Sequence, residues 1–568
     1  MQDTPQKVRI AKSSKKPWEK IMLCYPLFDK VFFTEPVGIL SLSAYLRQFG
    51  YQVLVCDDFL YGRSCDEVAR HVISCDPGML GISMTCEREF HDGCKLALNV
   101  RNSGFPGMIV AGGDFASFHT EELLSDSLFD VVMVGEGEET FRELLDSLCG
   151  GLPIDVIPGV ATSKNPQPRK RTAIQNLDVL PFLDRSVLAN MIEQNGGSLK
   201  GMQATLPTGR GCYGGCAFCS IWKGAGLMAG GAYREYGINR IISEMAHVHD
   251  RFGITDFYCC SAQFLSTSKT RAEERARTFA EHIERIGFEP SIFLYLRCDN
   301  VTESIAAYLR RARATTLFIG VESFDDRTLD KLNKGLTAAQ ITEALTMLED
   351  EGYSCDYRST FRLKLGFIMF TQWTDLEGLR KNLEGCRRFR IPPKKMAYTL
   401  QVHKENDLVD AQKASSSPMD VGFNELTPEA LFVRENYLSV LEQMIPALEA
   451  MRAFQKADLE LPLEVSNETW HVVDSINHFA YDAFERLLYY AEQDSREGIA
   501  CAKALVHEAA EFVKALNVAG VVEAVKSTAS PSRLKCVESH LERGLDNPQI
   551  MQEGKESHKA APLIGRTP

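Results

Sequence analysis

The chain has 568 residues, 45% hydrophobic and 24% charged, the make-up of an ordinary globular protein of about three or four domains. Its formal net charge of −13, with Lys and Arg dispersed, excludes a general nucleic-acid-binding surface; only PRKRTA near residue 170 is locally basic, and it reads as a solvated linker. No apolar run approaches the roughly 20 residues that cross a bilayer, and MQDTPQKVRIAKSSKKPWEK lacks the apolar stretch of a signal peptide, so a cytoplasmic protein with no membrane partner is expected.

Residues 1–19 read as an amino-terminal tail. From 20 to 150 the runs KIMLCYP, YQVLVCDD, GMLGISM, GMIVAGG and DVVMVGEG alternate with amphipathic helical stretches. Five buried strands with helices between them predict a parallel, doubly wound, Rossmann-like α/β domain. Such sheets bind ligands at the carboxyl ends of their strands, where the loops carry Ser83 and Thr85, Gly112 and Gly113, and Gly135 to Glu138, with Gly135 and Glu136 the candidate contacts of the last. Residues 151–200, broken by prolines and turn residues, read as an ordered linker.

A second α/β series spans 201–405, with strand candidates QATLPT, DFYCCSA, SIFLYLR, TTLFIGVES, RLKLGFIMF and KMAYTLQ. Six β/α units predict a partial (β/α)6 barrel of the TIM type, with its site at the carboxyl ends of the strands. Residues 420–550 turn helical and 551–568 read as a disordered tail. The helical region places His471, Asp474 and His478 at spacings that share a helix face. That pattern has a metal or acid/base reading beside the commoner one of core and rim packing, as does the aromatic run ERLLYYAE.

Seventeen cysteines scattered through apolar runs read as reduced core thiols. The exception is TGRGCYGGCAFCSIWKG, which sets Cys212, Cys216 and Cys219 in a C-x3-C-x2-C spacing among glycines, just after the first barrel strand. Three thiolates can hold three irons of a cubane cluster and leave the fourth open for chemistry. The alternative is a zinc knuckle completed by Cys259 or Cys260. Zinc modules usually pair their ligands in two close-spaced clusters, and no second pair follows nearby.

The three cysteines, with Phe218 before the third, resemble the motif of the radical S-adenosylmethionine (SAM) enzymes. The resemblance implies a [4Fe-4S] cluster on Cys212, Cys216 and Cys219, its open iron chelated by SAM, with Phe218 beside the cofactor. GVESFDDRTLDKLNKGLT resembles the family's fourth-strand segment, which implies that Glu322 and Ser323 approach SAM, while LYLRCDN places Arg297 where it can meet a carboxylate. At the end of the second strand, where relatives often carry acidic residues, this sequence has CCSAQF. Ser261 and Gln263 can hydrogen-bond an ammonium but not neutralise it, so either the methionine amino group is held differently or the cofactor sits in another pose.

The amino-terminal domain resembles cobalamin-binding domains in its Ser-x-Thr and Gly-Gly strand ends, with 26 residues between Thr85 and Gly112. The family's Asp-x-His-x-x-Gly loop is missing. The corresponding stretch is LFDKVFFTEPVG, and His71, the first histidine in the chain, falls in a predicted helix. The resemblance therefore implies base-off cobalamin with a weak or absent lower axial ligand, as in cobalamin-dependent radical SAM enzymes, whose GEGE segment VGEGEETFRELL also resembles. The bland alternative is a flavodoxin-like fold that binds nothing or a different cofactor.

Together these resemblances, over roughly residues 20–400, imply a methyltransferase. Reductive cleavage of SAM would give a 5′-deoxyadenosyl radical that activates an unactivated carbon, or a phosphorus, of a small biosynthetic intermediate, and methylcobalamin would supply the methyl group. The substrate is free or carrier-tethered, antibiotic biosynthesis is one setting, and the electron donor is of the flavodoxin or ferredoxin kind. Rivals are rearrangement or cyclisation without net methylation, methylation without the radical, and a non-catalytic iron-sulfur or cobalamin sensor whose helical tail contacts a partner.

Overall fold

The computed structural model describes residues 18, 20–26, 35–57, 63–125, 127–194, 202–356, 358–400, 426–456, 463–493, 496–516 and 518–528. The tail 551–568, all of 1–19 but Trp18, and residues 27–34 of LFDKVFFTEPVG lie outside the described residues. The chain divides into two compact units. The first holds residues 1–319, 350–352 and 360–362, the second 320–349, 353–359 and 363–568.

The first unit begins with a sheet of β1 (Lys20–Tyr25), β2 (Gln52–Asp57), β3 (Met79–Ser83), β4 (Met108–Gly112), β5 (Val131–Met133) and β6 (Val160–Ala161), in the order β2-β1-β3-β4-β5-β6. The first five run parallel and β6 antiparallel. β1 shows why the strands read as unbroken apolar runs: Met22 and Cys24 enter one core, Ile21 and Leu23 the other. Helices Cys65–Cys75 and Glu87–Asn102 supply the first core with Val68, Val72, Leu96 and Val100, while Val37–Gln48 and Gly137–Gly150 supply the second with Ile39, Leu46, Phe141 and Leu144. Ser64 starts the helix Cys65–Cys75 with a reciprocal cap to Glu67. The strand order reverses between β1 and β3, the point where doubly wound sheets open a crevice for a ligand.

The segment expected to be linker is more than that. It contributes β6 to the sheet edge and a helix, Ser186–Gln194, and its basic stretch is pinned: Arg171 pairs with Glu143 at 2.6 Å and Lys170 donates to the Gly226 carbonyl at 2.6 Å. A strand of two residues is too short to carry a period, which is why no local pattern marks it.

The barrel series follows in the same unit, as parallel neighbours β7 (Gln203–Leu206), β10 (Asp256–Cys259), β11 (Ser291–Arg297) and the opening of β12 (Thr316–Glu322). Between β7 and β10 a small hairpin of β8 (Gly209–Arg210) and β9 (Arg234–Glu235) brackets the cysteine loop. In the second unit the end of β12 neighbours β13 (Arg362–Phe367), and the Ile368 N–H donates to the Glu322 carbonyl at 2.7 Å. The expected sixth strand, KMAYTLQ, is instead a short 3-10 turn, Pro393–Ala397, followed by an isolated parallel bridge between Phe370 and Thr399. Pro392 and Pro393 remove two ladder donors just where the strand would start. Helices Pro428–Lys456, Leu463–Glu492, Arg496–Ala515 and Val518–Thr528 complete this unit, with Tyr437 edge-on to Phe484 in its core.

Candidate cofactor site

The cysteine loop leaves β8 through Gly211, at φ +74°, where a Cβ would stand 2.2 Å from the Ala232 carbonyl oxygen; only glycine fits this close return against β9. At Gly214 a Cβ would lie 2.2 Å from Nη1 of Arg297, so the guanidinium lies directly against the loop. Arg297 reaches Cys216 Sγ at 3.5 Å through Nη1 and Asp299 at 3.1 Å through Nε, and lies 5.4 Å over the Tyr213 ring. Burial alone would lower its pKa; Asp299 and Cys216 outweigh that and hold it a cation. Burial pushes the Cys219 thiol up, while the backbone N–H groups of Ile221 and Trp222 pull it down and the nearby Cys216 and Cys212 thiols add to the rise. Cys212 Sγ accepts the Gly214 N–H at 3.4 Å. Phe218 is half-buried on the same loop.

A polar network stands behind the loop. Tyr213 donates its hydroxyl to Asp299 at 3.1 Å and accepts from Asn300 at 2.8 Å and from Gln263 at 3.2 Å. Gln263 is fully buried, and its amide oxygen takes the Arg297 N–H at 3.0 Å. Both ends of its amide are thus engaged by the loop's neighbours. Ser261 is bonded to Thr208 at 2.5 Å and to the Gln263 carbonyl at 3.1 Å. Sequence reasoning missed Tyr213, Asp299 and Asn300, although the last two adjoin Arg297 in the quoted LYLRCDN.

Beside this loop the first unit holds a cavity of about 530 Å3. One wall is the carboxyl edge of the β1–β5 sheet, with Ser83, Thr85, Gly112, Gly113, Gly135 and Glu136; another comes from Pro207, Gly209 to Gly211, Ile221, Met228, Tyr258 and Ser261 around the cysteine loop. Ser83 and Gly112 are register partners, and the Met84 N–H donates to the Gly112 carbonyl at 2.7 Å. Gly113, at φ +101°, would place a Cβ 2.4 Å from the Met84 carbonyl oxygen. Thr85 gives its N–H and hydroxyl to Glu89 at 2.6 and 2.7 Å. Gly135 donates to Ser117 at 3.1 Å.

Glu136 is engaged by Arg234 at 2.8 Å, Arg210 at 3.2 Å and the Ile174 N–H at 3.0 Å, so it ties the sheet edge to the hairpin. Asp114, which also lines the cavity, has its carboxyl raised by enclosure, with Arg210 opposing and Glu136 adding. His71 sits in the helix Cys65–Cys75 as expected, within 3.8 Å of Cys75, and is not among the cavity's lining residues.

Glu322 and Ser323 belong to the second unit. Glu322 is paired with Lys334 at 3.0 Å, and Ser323 donates to the Asn382 side-chain oxygen at 2.9 Å. The same unit has a cavity of about 440 Å3 lined by Asp356, Arg358, Arg387, Trp470, Asp474 and His478, among others. Asp474 pairs with Arg358 at 3.1 Å, and His478 Nδ1 lies 2.7 Å from the Asp474 carbonyl; His471 is exposed and outside the lining.

Among the described residues no group of three His, Cys, Asp or Glu side chains converges on a single metal ion. A cubane asks for a different donor set, three thiolates arrayed around four irons, which one glycine-rich loop with a cation at its side suits. The sheet edge, with glycine backbone and small side chains facing a cavity, likewise suits a broad planar cofactor.

Residues 31–145 match the B12 binding domain family and residues 206–364 the Radical SAM superfamily. The chain therefore carries a B12-binding domain followed by a radical SAM domain. The cofactors that go with these domains are cobalamin, a [4Fe-4S] cluster and SAM.

Among individual relatives, an uncharacterised methyltransferase of Pyrococcus horikoshii is 27% identical over 55% of this chain and 65% of its own length. The hopanoid C-3 methylase of Methylococcus capsulatus is 26% identical over 59% of this chain and 63% of its own. The chain thus spans just under two thirds of either. The fold is shared with the cobalamin-dependent SAM radical enzyme OxsB, solved with aqua-cobalamin bound, at a TM-score of 0.68 and 16% identity over 95% of this chain and 83% of that one. Among the described residues no helix is long and apolar enough to cross a membrane.

Proposed function

We propose that the protein is a methyltransferase that moves a methyl group from SAM, by way of cobalamin, to an unactivated carbon, or a phosphorus, of a small biosynthetic intermediate. The observation that carries this reading is a cavity lined both by the carboxyl edge of the B12-domain sheet and by the residues on either side of the cysteine loop. When bound, cluster and SAM supply a 5′-deoxyadenosyl radical, and cobalamin a transferable methyl group.

The chain's own groups then have the following roles. Cys212, Cys216 and Cys219 hold the cluster. Arg297 reaches the Cys216 sulfur at 3.5 Å and is kept in place by Asp299 and the Tyr213 ring. Phe218 and Ser261, in the first unit, flank SAM. Ser83, Gly112, Gly113 and Gly135 receive cobalamin against the backbone, where larger side chains would block approach. Pro207, Ile221, Leu227 and Met228 give the cavity an apolar side that excludes water from a reactive centre. The substrate is a small molecule, free or carrier-tethered, and a flavodoxin or ferredoxin delivers the electrons. The two named relatives, one a methyltransferase and one a methylase, support methyl transfer over rearrangement.

The test is anaerobic reconstitution with iron, sulfide and hydroxocobalamin, then addition of SAM carrying a deuterated methyl group and a strong reductant. The expected products are 5′-deoxyadenosine and deuterated methylcobalamin, both read by mass. Deoxyadenosine with no labelled methylcobalamin would turn the reading toward a rearrangement or cyclisation.

A further inference from the structure

The hairpin that carries the cysteine loop is held to the B12 domain by four charges. Arg210 and Arg234 are register partners across β8 and β9, an arrangement that like charges would oppose. Two carboxylates of the segment Gly135–Glu138 resolve it. Glu138 takes Arg210 at 2.5 Å and also accepts from Ser41 at 2.7 Å, while Glu136 lies between Arg210 at 3.2 Å and Arg234 at 2.8 Å. Their side chains are only 6 to 21% exposed, so the charges are matched inside the protein and not by solvent.

Two facts of position give this cluster a consequence. Every member, with Ser41, lines the same cavity as Ser83, Gly112 and Gly113. And Arg210 stands two residues before Cys212, joined to it by Gly211, whose φ of +74° and 2.2 Å Cβ clearance leave little latitude. A molecule seated on the sheet edge therefore presses on Glu136 and Glu138, and they hold the arginine that sets where the cysteine loop begins.

We infer that Arg210 is a positioning residue that couples the two cofactor sites, so that occupation of the cavity by cobalamin and assembly of the cluster on Cys212, Cys216 and Cys219 change each other's affinity through the Glu136/Glu138–Arg210–Gly211 connection. This inference rests on the proposed two-cofactor function. Coupling between sites is reciprocal, so either cofactor can report it.

The test is a titration of hydroxocobalamin into the full chain, cluster-free and cluster-loaded, followed by absorbance under anaerobic conditions. In the unaltered protein the two dissociation constants differ by at least about fivefold, the lower end of ordinary coupling. In Arg210→Met, and separately in Glu138→Gln, the ratio falls to within about twofold. Glu138→Gln keeps the shape of the side chain and its contact with Ser41, so the test stands even where Arg210→Met fails to fold. A spectroscopic arm uses the reduced cluster's electron paramagnetic resonance signal, recorded with and without bound cobalamin under excess strong reductant, which differs between the two in the unaltered protein and stays fixed in the variants. A protein that binds neither cofactor overturns the two-cofactor reading; one that binds both with equal constants overturns the coupling alone; variants that keep the full ratio and the spectral shift overturn Arg210 as its carrier.

Discussion

Two cavities among the described residues are walled with opposite materials. In the first unit the wall is glycine backbone, apolar side chains and a few charges matched to one another inside the protein. In the second, Arg358, Arg387 and Arg390 face Asp356, Asp474 and Asp482, and most of these groups are open to solvent: the Arg387–Asp482 pair is 35 and 73% exposed. Enclosed charges fix geometry because removing one strands its partner, whereas solvent-screened pairs contribute little. On that contrast the charges of the first cavity are fixed in place, and those of the second are largely screened by solvent.

The largest effect should come from the cysteine loop. A Cys212→Ala, Cys216→Ala, Cys219→Ala triple variant is expected to lose the cluster's visible absorbance and all deoxyadenosine formation while still binding hydroxocobalamin, which would separate the two sites experimentally. Next comes the buried ion cluster under the barrel. Arg185 meets Glu244 at 2.7 Å and Glu35 at 3.3 Å, with all three side chains about 2% exposed. Arg185→Met should cost about 3–5 kcal/mol in urea unfolding, because Glu35 and Glu244 each lose a buried cation and Glu244 keeps only Arg240. Gly113→Ala should cost about 1–3 kcal/mol from its positive φ and the clash with the Met84 carbonyl, and should weaken cobalamin binding by closing the sheet edge.

The acid limb of stability sharpens the same comparison. Burial alone raises the Glu244 carboxyl; Arg185 and Arg240 outweigh it and hold the folded pKa below the ordinary 4.5. A depressed folded value means that this contribution is complete above the unfolded pKa and disappears as pH falls through the folded one. Denaturant midpoints should therefore drop below about pH 4.5, and Glu244→Gln, though less stable at neutral pH, should show a flatter acid limb. Arg387→Gln, in the second unit, should change stability by at most about 1 kcal/mol, and a larger loss would erase the distinction between the two cavities.

Legibility in the sequence followed the range of the forces involved. β1 to β5 were readable because a strand covered on both faces is a continuous apolar run. The cysteine loop was readable because its ligands are neighbours in sequence, and Gly112 and Gly113 because they end a strand. Arg210 and Glu138 are 72 residues apart, and nothing local marks either as a partner of the other. Gln263, Glu322 and Ser323 were placed by motif, but only the folded chain supplies the partners that engage them: Tyr213 and Arg297, Lys334, and Asn382. The expected sixth strand, KMAYTLQ, is reduced to one parallel bridge, with Pro392 and Pro393 just ahead of it.

The most direct test of the central claim, that one cavity serves both cofactors, is electron paramagnetic resonance of the fully loaded protein with cobalamin in its cob(II)alamin form. Reducing the cluster should split or broaden the cob(II)alamin signal by dipolar coupling to a neighbouring spin. Two undisturbed signals from a protein carrying both cofactors in full would mean that they do not share the cavity, and would contradict that claim.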